Sequence, residues 1–188
     1  MKKLNYLALG LIASFTFNSC SNDEDVVPIN EAEVITTVTT TLKNGSETIT
    51  LTSRDLDGDG PNAPQITVSG TLKVNTTYAG SVSFLNELDS PADDITLEVK
   101  EEGDEHQIFF ETPTSIGDFA YTDLDGNGKP IGITFTLTTA ASAASGNITV
   151  TLIHLPNKSA AGVEDGDKTN AGGGTDALIT YPVVLVAN

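Results

Sequence analysis

The sequence predicts an all-β protein, an immunoglobulin-like antiparallel β-sandwich of about eight or nine strands with one short helix. Two observations carry this prediction. Apolar residues alternate with Thr and other polar residues over short runs, which is typical of half-buried strands. Turn-forming residues such as Gly, Asn and Pro separate these runs at fairly even spacing. We expect the sandwich to occupy residues 33–188.

The N-terminus has the pattern of a lipoprotein signal peptide, residues 1–19. Lys2 and Lys3 form a positive region, and the apolar stretch after them is too short to span a bilayer. Ser19 then precedes Cys20, the only cysteine of the chain, which predicts that the thiol of Cys20 carries a lipid. The alternative is a free cysteine just past an ordinary secretory signal. Residues 20–32 follow as the lipid anchor and an acidic tether.

The first strands are predicted from apolar residues that share one face. The first hairpin carries Val34, Val38 and Leu42 before an Asn44-Gly45 turn and Ile49 and Leu51 after it. The next two runs have the same alternation and are predicted as strands three and four; their apolar residues are Ile66, Val68, Leu72 and Val74, then Tyr78, Val82 and Phe84.

A short helix is predicted over residues 91–102, because Ser90 and Pro91 have the chemistry of a helix start and Gly103 can end it. Strands resume after the helix; the predicted spans are 105–111, around 119–122, 131–138, 147–155 and 177–186. A polar segment, residues 156–175, separates the last two strands, and segments of this length are either functional or mobile.

Composition narrows the classes of partner. The formal net charge is −17, so nucleic acid and anionic lipid headgroups are poor partners, whereas a cation is a suitable one. With a single cysteine, neither a disulfide nor a cysteine-rich zinc cluster can hold the fold. We expect a monomer.

Two loops resemble the start of a calcium-binding loop, in which alternate oxygen side chains surround a hard cation. The candidate ligands are Asp55, Asp57 and Asp59 in the first loop and Asp123, Asp125 and Asn127 in the second. Neither loop has the bidentate Glu of an EF-hand, and neither is flanked by helices. The alternative is that these residues only form turns. The sequence establishes no cofactor, and calcium is the candidate that these loops suggest.

The two histidines suggest a second kind of metal site. His106 and His154, with Glu105, could bind zinc or copper if the fold brings them together. Each histidine shares strand parity with apolar residues, so the alternative is two structural histidines in the core.

Enzyme signatures are missing from the sequence. It contains no GxSxG, HExxH or phosphate-binding loop and no cysteine nucleophile beyond Cys20, so no catalytic residue is assigned and we expect a non-enzymatic protein.

Five stretches of the chain carry a resemblance to known proteins: Arg54–Gly60, Asn75–Tyr78, Phe84–Glu87, Glu105–Gln107 and the segment from His154 to Gly173. Through these stretches the chain resembles a family of Bacteroidetes surface lipoproteins typical of Flavobacteria. The acidic run after Cys20 also resembles the signal that exports such lipoproteins to the outer face of the outer membrane. Members often carry an automatic name that invokes a type 1 periplasmic binding fold, which conflicts with the short all-β pattern here.

The resemblance implies an outer-membrane lipoprotein on the cell surface, with the periplasmic face as the alternative. Family members tend to be encoded beside TonB-dependent receptors, which implies an accessory protein that captures a nutrient, such as a metal or a metal complex. Two other functions stay open: a structural or adhesive module stiffened by calcium, and a hydrolase that uses a pair of carboxylates.

Overall fold

The computed structural model describes residues 33–58 and 60–187, and it confirms an all-β sandwich with one short α-helix. Within these residues there are ten strands rather than the eight or nine predicted. The predicted signal peptide, Cys20 and the tether lie outside the described residues. No helix in the described part of the chain is long and apolar enough to cross a membrane.

The strands form two sheets that pack face to face. The larger sheet has the strand order β3-β2-β1-β5-β8-β7, and the smaller one has the order β4-β10-β9-β6. The bounds of the larger sheet are β1 Thr37–Asn44, β2 Glu47–Arg54, β3 Gln65–Val68, β5 Thr77–Leu85, β7 Gly117–Tyr121 and β8 Thr134–Thr139. The bounds of the smaller sheet are β4 Leu72–Lys73, β6 His106–Glu111, β9 Ala144–His154 and β10 Gly174–Val186.

The core lies between the sheets, as the alternating pattern predicts. The main cluster draws its buried side chains from both inner faces and includes Val38, Leu42, Phe84, Leu152 and Tyr181. Because β6 and β9 contribute to this cluster through every second residue, their even-numbered residues face inward. His106 and His154 therefore also face inward, at the end of the core where β6 begins and β9 ends.

Two local predictions were wrong in detail. The predicted third strand is two short strands in opposite sheets: β3 pairs with β2, whereas β4 pairs in parallel with β10. The helix, α1, spans Ile95–Glu101 and begins four residues later than predicted. Asp94 caps it by accepting a hydrogen bond from the Thr96 N–H, because the preceding Asp93 is held in an extended bridge with Asn86.

The long segment before β10 is a packed part of the fold. Val163 and Ala171 in this segment are buried against Phe109 and Ile153, which point outward from β6 and β9. The Gln107 side-chain amide also donates a hydrogen bond to the Val163 carbonyl at 2.7 Å. The segment therefore covers the outer face of the smaller sheet.

Candidate metal site

The site begins with a pair of stacked histidines at one end of the core. His106 at the start of β6 and His154 at the end of β9 are direct partners in the antiparallel ladder. Their imidazole rings stack with centroids 4.7 Å apart and planes 12° apart, and both side chains are buried. Direct cross-strand partners have their Cβ atoms close together on one face of the sheet, so the register of β6 and β9 alone creates the pair.

A backbone carbonyl orients the His106 ring. The Nδ1 atom of His106 lies 3.2 Å from the Glu102 carbonyl oxygen at the C-terminal end of α1. A carbonyl only accepts hydrogen bonds, so Nδ1 carries the proton, and in the neutral imidazole Nε2 is then the atom with the free lone pair. Metal-binding histidines commonly donate their second ring N–H to a carbonyl or carboxylate in this way. This contact therefore orients the His106 ring so that Nε2 is the atom available to a metal ion.

A β-bulge brings a carboxylate to the histidine pair. In the β9–β10 ladder, Thr175 pairs with Ile153 and Ala177 pairs with Leu152, so Asp176 is one extra residue on β10. A bulge of this kind redirects the side chain of the extra residue. One ligand atom from each of His106, His154 and Asp176 lies within 4.8 Å of the others. The zinc–nitrogen distance of about 2.0 Å places neighbouring donor atoms roughly 3.3 Å apart, so modest side-chain rotations bring the three donors onto one ion.

Two more carboxylates flank the histidines. The Oε1 atom of Glu33 lies 3.8 Å from His106 Nε2, and the Oε2 atom of Glu105 lies 3.5 Å from His154 Nε2. The Glu33 side chain is only 12% exposed, whereas that of Glu105 is 51% exposed. Each histidine therefore has its own acidic neighbour, one partly buried and one open to solvent.

In the metal-free site, the surroundings of Glu33 and Asp176 disfavour the negatively charged forms of these two carboxyl groups. Burial, reinforced by repulsion from Glu98, Asp176 and Glu102, raises the pKa of Glu33 to about 7. Burial also raises the pKa of Asp176, although the two histidines act in the opposite direction. Within the described part of the chain, Glu33 Oε2 and Asp176 Oδ2 are both buried and have no hydrogen-bond partner. Buried polar atoms without a partner are uncommon and call for an explanation, and for Asp176 a bound cation would supply one.

The types of donor indicate the kind of ion. Two imidazoles with carboxylates suit borderline divalent ions such as Zn²⁺ and Cu²⁺, whereas Ca²⁺ and Mg²⁺ prefer oxygen ligands throughout. A cluster of His106, His154 and Asp176 can thus coordinate a transition metal and is poorly suited to calcium.

Of the predicted transition-metal set, the structure brings His106 and His154 together and places Glu105 beside His154, but the third member of the donor group is Asp176 and not Glu105. Sequence reasoning missed Asp176 and Glu33. A signal for Asp176 was present, because it directly precedes the last predicted strand while His154 ends the strand before it, and antiparallel neighbours place these two ends side by side. Glu33 has no comparable signal, because its place follows only from how the chain enters β1.

The first Asp-rich loop is described only in part, because Asp59 lies outside the described residues. Asp55 accepts a hydrogen bond from the Asp57 N–H at 3.3 Å. The Asp57 carboxylate accepts hydrogen bonds from the backbone and side chain of Asn62, which lower its pKa. These are the contacts of a turn, and calcium at Asp55, Asp57 and Asp59 stays a prediction.

In the second loop, a lysine ammonium stands beside the carboxylate predicted to bind calcium. Asp125 Oδ2 lies 2.9 Å from Lys158 Nζ, and the side chains are 1% and 5% exposed. Burial alone would raise the pKa of Asp125, but hydrogen bonds from Lys129, Lys158 and Asn127 more than offset it and lower the pKa. Lys158 Nζ also donates hydrogen bonds to the carbonyls of Gly103 and Pro130.

The other carboxylate of the second loop is likewise used within the fold. Asp123 accepts hydrogen bonds from the Gly132 and Thr134 N–H groups at 2.8 and 3.0 Å, while Asp125 Oδ1 accepts from the Asn127 and Lys129 N–H groups. Asp123 and Asp125 therefore serve different partners instead of converging on one point. This geometry favours a structural role for Asp123, Asp125 and Asn127 over the predicted calcium site.

Comparison with protein-family models, with curated proteins and with solved structures found no match to this chain.

Proposed function

We propose that this protein binds a borderline divalent metal ion, Zn²⁺ or Cu²⁺, through His106, His154 and Asp176. The observation that carries the proposal is the cross-strand histidine pair with the carboxylate of the β10 bulge beside it. Three protein donors of these types are the minimum of many zinc sites. The role is one of binding, because the chain has no catalytic signature.

The proposal places this binding protein on the outer membrane as a lipid-anchored surface protein. Its support is the signal-peptide pattern before Cys20 and the acidic tether after it. The large excess of acidic residues further supports capture of a cation, because negative surface charge raises the local concentration of positive ions.

The proposed role in the cell is that of an accessory to a TonB-dependent uptake system, with the metal ion as the captured nutrient. This step is supported by the resemblance to Bacteroidetes surface lipoproteins encoded beside such receptors. The lipid anchor would hold the metal site close to a receptor in the same membrane. No observation on the Asp-rich loops or on a carboxylate pair favours the calcium-stiffened module or the hydrolase over metal binding.

The chain offers a direct test because it contains only two histidines. In the mature chain, residues 20–188, a Cys20→Ser change removes the only thiol, so that zinc has no cysteine to bind. We expect one equivalent of Zn²⁺ to shift the imidazole proton signals of both histidines together in an NMR titration, with saturation at one ion per chain.

Three controls make this titration decisive. Ca²⁺ at the same concentration should leave both histidine signals in place, because imidazole is a poor ligand for calcium. His154→Gln should abolish the zinc-dependent shift of the remaining His106 signal, whereas Gln65→Asn, at an exposed position of β3, should leave both shifts unchanged. Histidine signals that do not respond to Zn²⁺ or Cu²⁺ would overturn the proposal.

A further inference from the structure

A cleft of about 520 Å³ opens beside the candidate metal site. It lies between the start of β10 and the adjoining ends of β1 and β2, and its lining includes Glu33, Asp55, Asp176, Ile35, Pro64 and Ile179. The volume falls within the range of clefts that take small organic molecules. The cleft is therefore large enough for a ligand rather than only for a few water molecules.

The carboxylates of the site face this cleft, while the histidines lie behind them. Glu33 and Asp176 belong to the lining of the cleft, whereas His106 and His154 do not. The His106 side chain is 2% exposed and the His154 side chain 9% exposed. An ion held by His106, His154 and Asp176 would thus have protein behind it and the cleft in front of it.

The donor count leaves room for a further ligand. Three protein donors leave at least one coordination position of a tetrahedral ion to water or to another ligand, as in zinc sites that exchange their fourth ligand. A site built only to retain its ion would be closed by four protein donors. Because Asp176 lines the cleft and the histidines do not, we expect the position left by the protein donors on the side of the cleft.

The chemistry of the cleft selects the kind of ligand. Three carboxylates, Glu33, Asp55 and Asp176, line it together with apolar side chains. Two of these, Glu33 and Asp55, are not among the three metal donors. Together with Asp176 they offset the two positive charges of the ion, which leaves no excess positive charge to attract an anion and favours neutral or cationic molecules. Nitrogen donors such as imidazoles and amines have that charge and also suit Zn²⁺ and Cu²⁺.

We infer that the metal ion keeps one coordination position open to the cleft, and that a small neutral or cationic nitrogen-donor ligand completes its coordination there. This inference rests on the proposed metal site. Under it, the protein holds its metal as a mixed complex with a small organic molecule, so the cleft determines which metal species the protein captures.

Cobalt substitution tests the inference, because the visible spectrum of Co²⁺ reports its ligands. The mature chain with Cys20→Ser is loaded with one equivalent of Co²⁺ and titrated with imidazole. We expect imidazole to shift the visible bands with 1:1 saturation while Co²⁺ stays with the protein through gel filtration. Azide, an anion of similar size, should bind at least about tenfold more weakly.

A pair of variants on β10 localises the effect. Leu178 and Val184 are exposed at 60% and 45%, and of these two only Leu178 lines the cleft. Leu178→Trp narrows the cleft and should weaken imidazole binding about tenfold with Co²⁺ affinity unchanged, whereas Val184→Trp should alter neither.

The outcomes separate the two proposals. Failure to bind Zn²⁺, Cu²⁺ or Co²⁺ overturns the metal site itself. Binding of Co²⁺ with a spectrum that imidazole does not change overturns only the open position. Azide binding as strong as imidazole binding, or equal effects of the two Trp variants, would show that the ligand does not enter through this cleft.

Discussion

His106 and His154 stack at 4.7 Å because they are direct partners in the β6–β9 ladder. The same ladder pairs Ile108 with Leu152, and both of these side chains lie in the core. A shift of the register by one residue would turn one strand's entire set of side chains to the other face of the sheet. The packing that fixes the register therefore also fixes the distance between the two imidazoles.

Asp176→Asn tests whether the bulge residue is a metal ligand. We expect the affinity for Zn²⁺ to fall by at least about 10- to 100-fold, because an amide is a much weaker zinc ligand than a carboxylate. Isothermal titration calorimetry measures the change. Asp118→Asn, at an exposed position of β7, is the matched control and should leave the affinity unchanged. Equal Zn²⁺ affinities of the parent protein and of the Asp176→Asn and Asp118→Asn variants would exclude Asp176 as a ligand.

Gly173→Ala should weaken the candidate metal site, although Gly173 is not one of its ligands. Gly173 has a φ of 75°, and a Cβ atom there would lie 2.2 Å from the His154 carbonyl oxygen. Relieving this contact must move the end of β9 or the start of β10, where His154 and Asp176 lie. We expect lower stability by about 1–3 kcal/mol and weaker Zn²⁺ binding.

Gly172→Ala is the control for this change. Gly172 also has a positive φ, 62°, but a Cβ atom there meets nothing within 4 Å. Gly172→Ala should therefore strain the backbone without displacing the end of β9 or the start of β10. We expect a smaller loss of stability than for Gly173→Ala and an unchanged Zn²⁺ affinity. Weaker Zn²⁺ binding in both variants to the same degree would count against the contact with His154 as the cause.

The stability of the metal-free protein should depend on pH through Glu33. Its pKa is raised from 4.5 in the unfolded chain to about 7 in the folded protein. Between these two values the folded protein retains a proton that the unfolded chain has lost, so the free energy of unfolding falls as the pH rises. After allowance for solvent screening, the decline is on the order of 1–2 kcal/mol between pH 4.5 and 7.

Urea unfolding in EDTA at a series of pH values measures this decline. Glu33→Gln should remove most of it and make the protein more stable than the parent at pH 8. Glu101→Gln, at an exposed position of α1, should retain the parent's profile. A decline of the same size in the Glu33→Gln protein would show that other groups cause it.

Lys158→Met should be strongly destabilising. It removes the ammonium that pairs with Asp125 and leaves that buried carboxylate without its charged partner, which typically costs about 3–5 kcal/mol. Lys129→Met removes a more exposed ion pair with Glu164 and should cost less than about 1 kcal/mol. Urea unfolding of the two variants compares them, and similar losses would contradict the special role of Lys158.

Calcium should act on the first Asp-rich loop if it acts on either. We expect Asp123→Asn to lower the melting temperature equally in calcium and in EDTA, because Asp123 already accepts two backbone hydrogen bonds. Any rise in melting temperature with calcium should instead be lost in Asp57→Asn. A calcium effect that disappears only in Asp123→Asn would restore the second loop as a calcium site.

The sequence predicted those features that depend on local patterns. Alternating apolar residues such as Val38 and Leu42 gave the sandwich and most strands, and strand parity placed both histidines on the core face. It could not show that Leu72–Lys73 leaves the larger sheet for the smaller one, because two residues carry no periodicity. Lys158 also escaped prediction, since a buried ion pair depends on segments that are distant in sequence. Asp176 was missed although its place just before the last predicted strand was a signal, because the bulge that redirects its side chain leaves no mark in the alternating pattern.

The covering segment before β10 also bears on solubility. Without it, Phe109 and Ile153 would form an apolar patch on the outer face of a sheet, the kind of surface through which proteins associate. The chain has only 9 Lys and Arg residues against 26 Asp and Glu, yet it buries one of these few cations to fasten the start of that segment. Loss of this single ammonium would therefore loosen the cover over an apolar face, and aggregation would accompany the loss of stability.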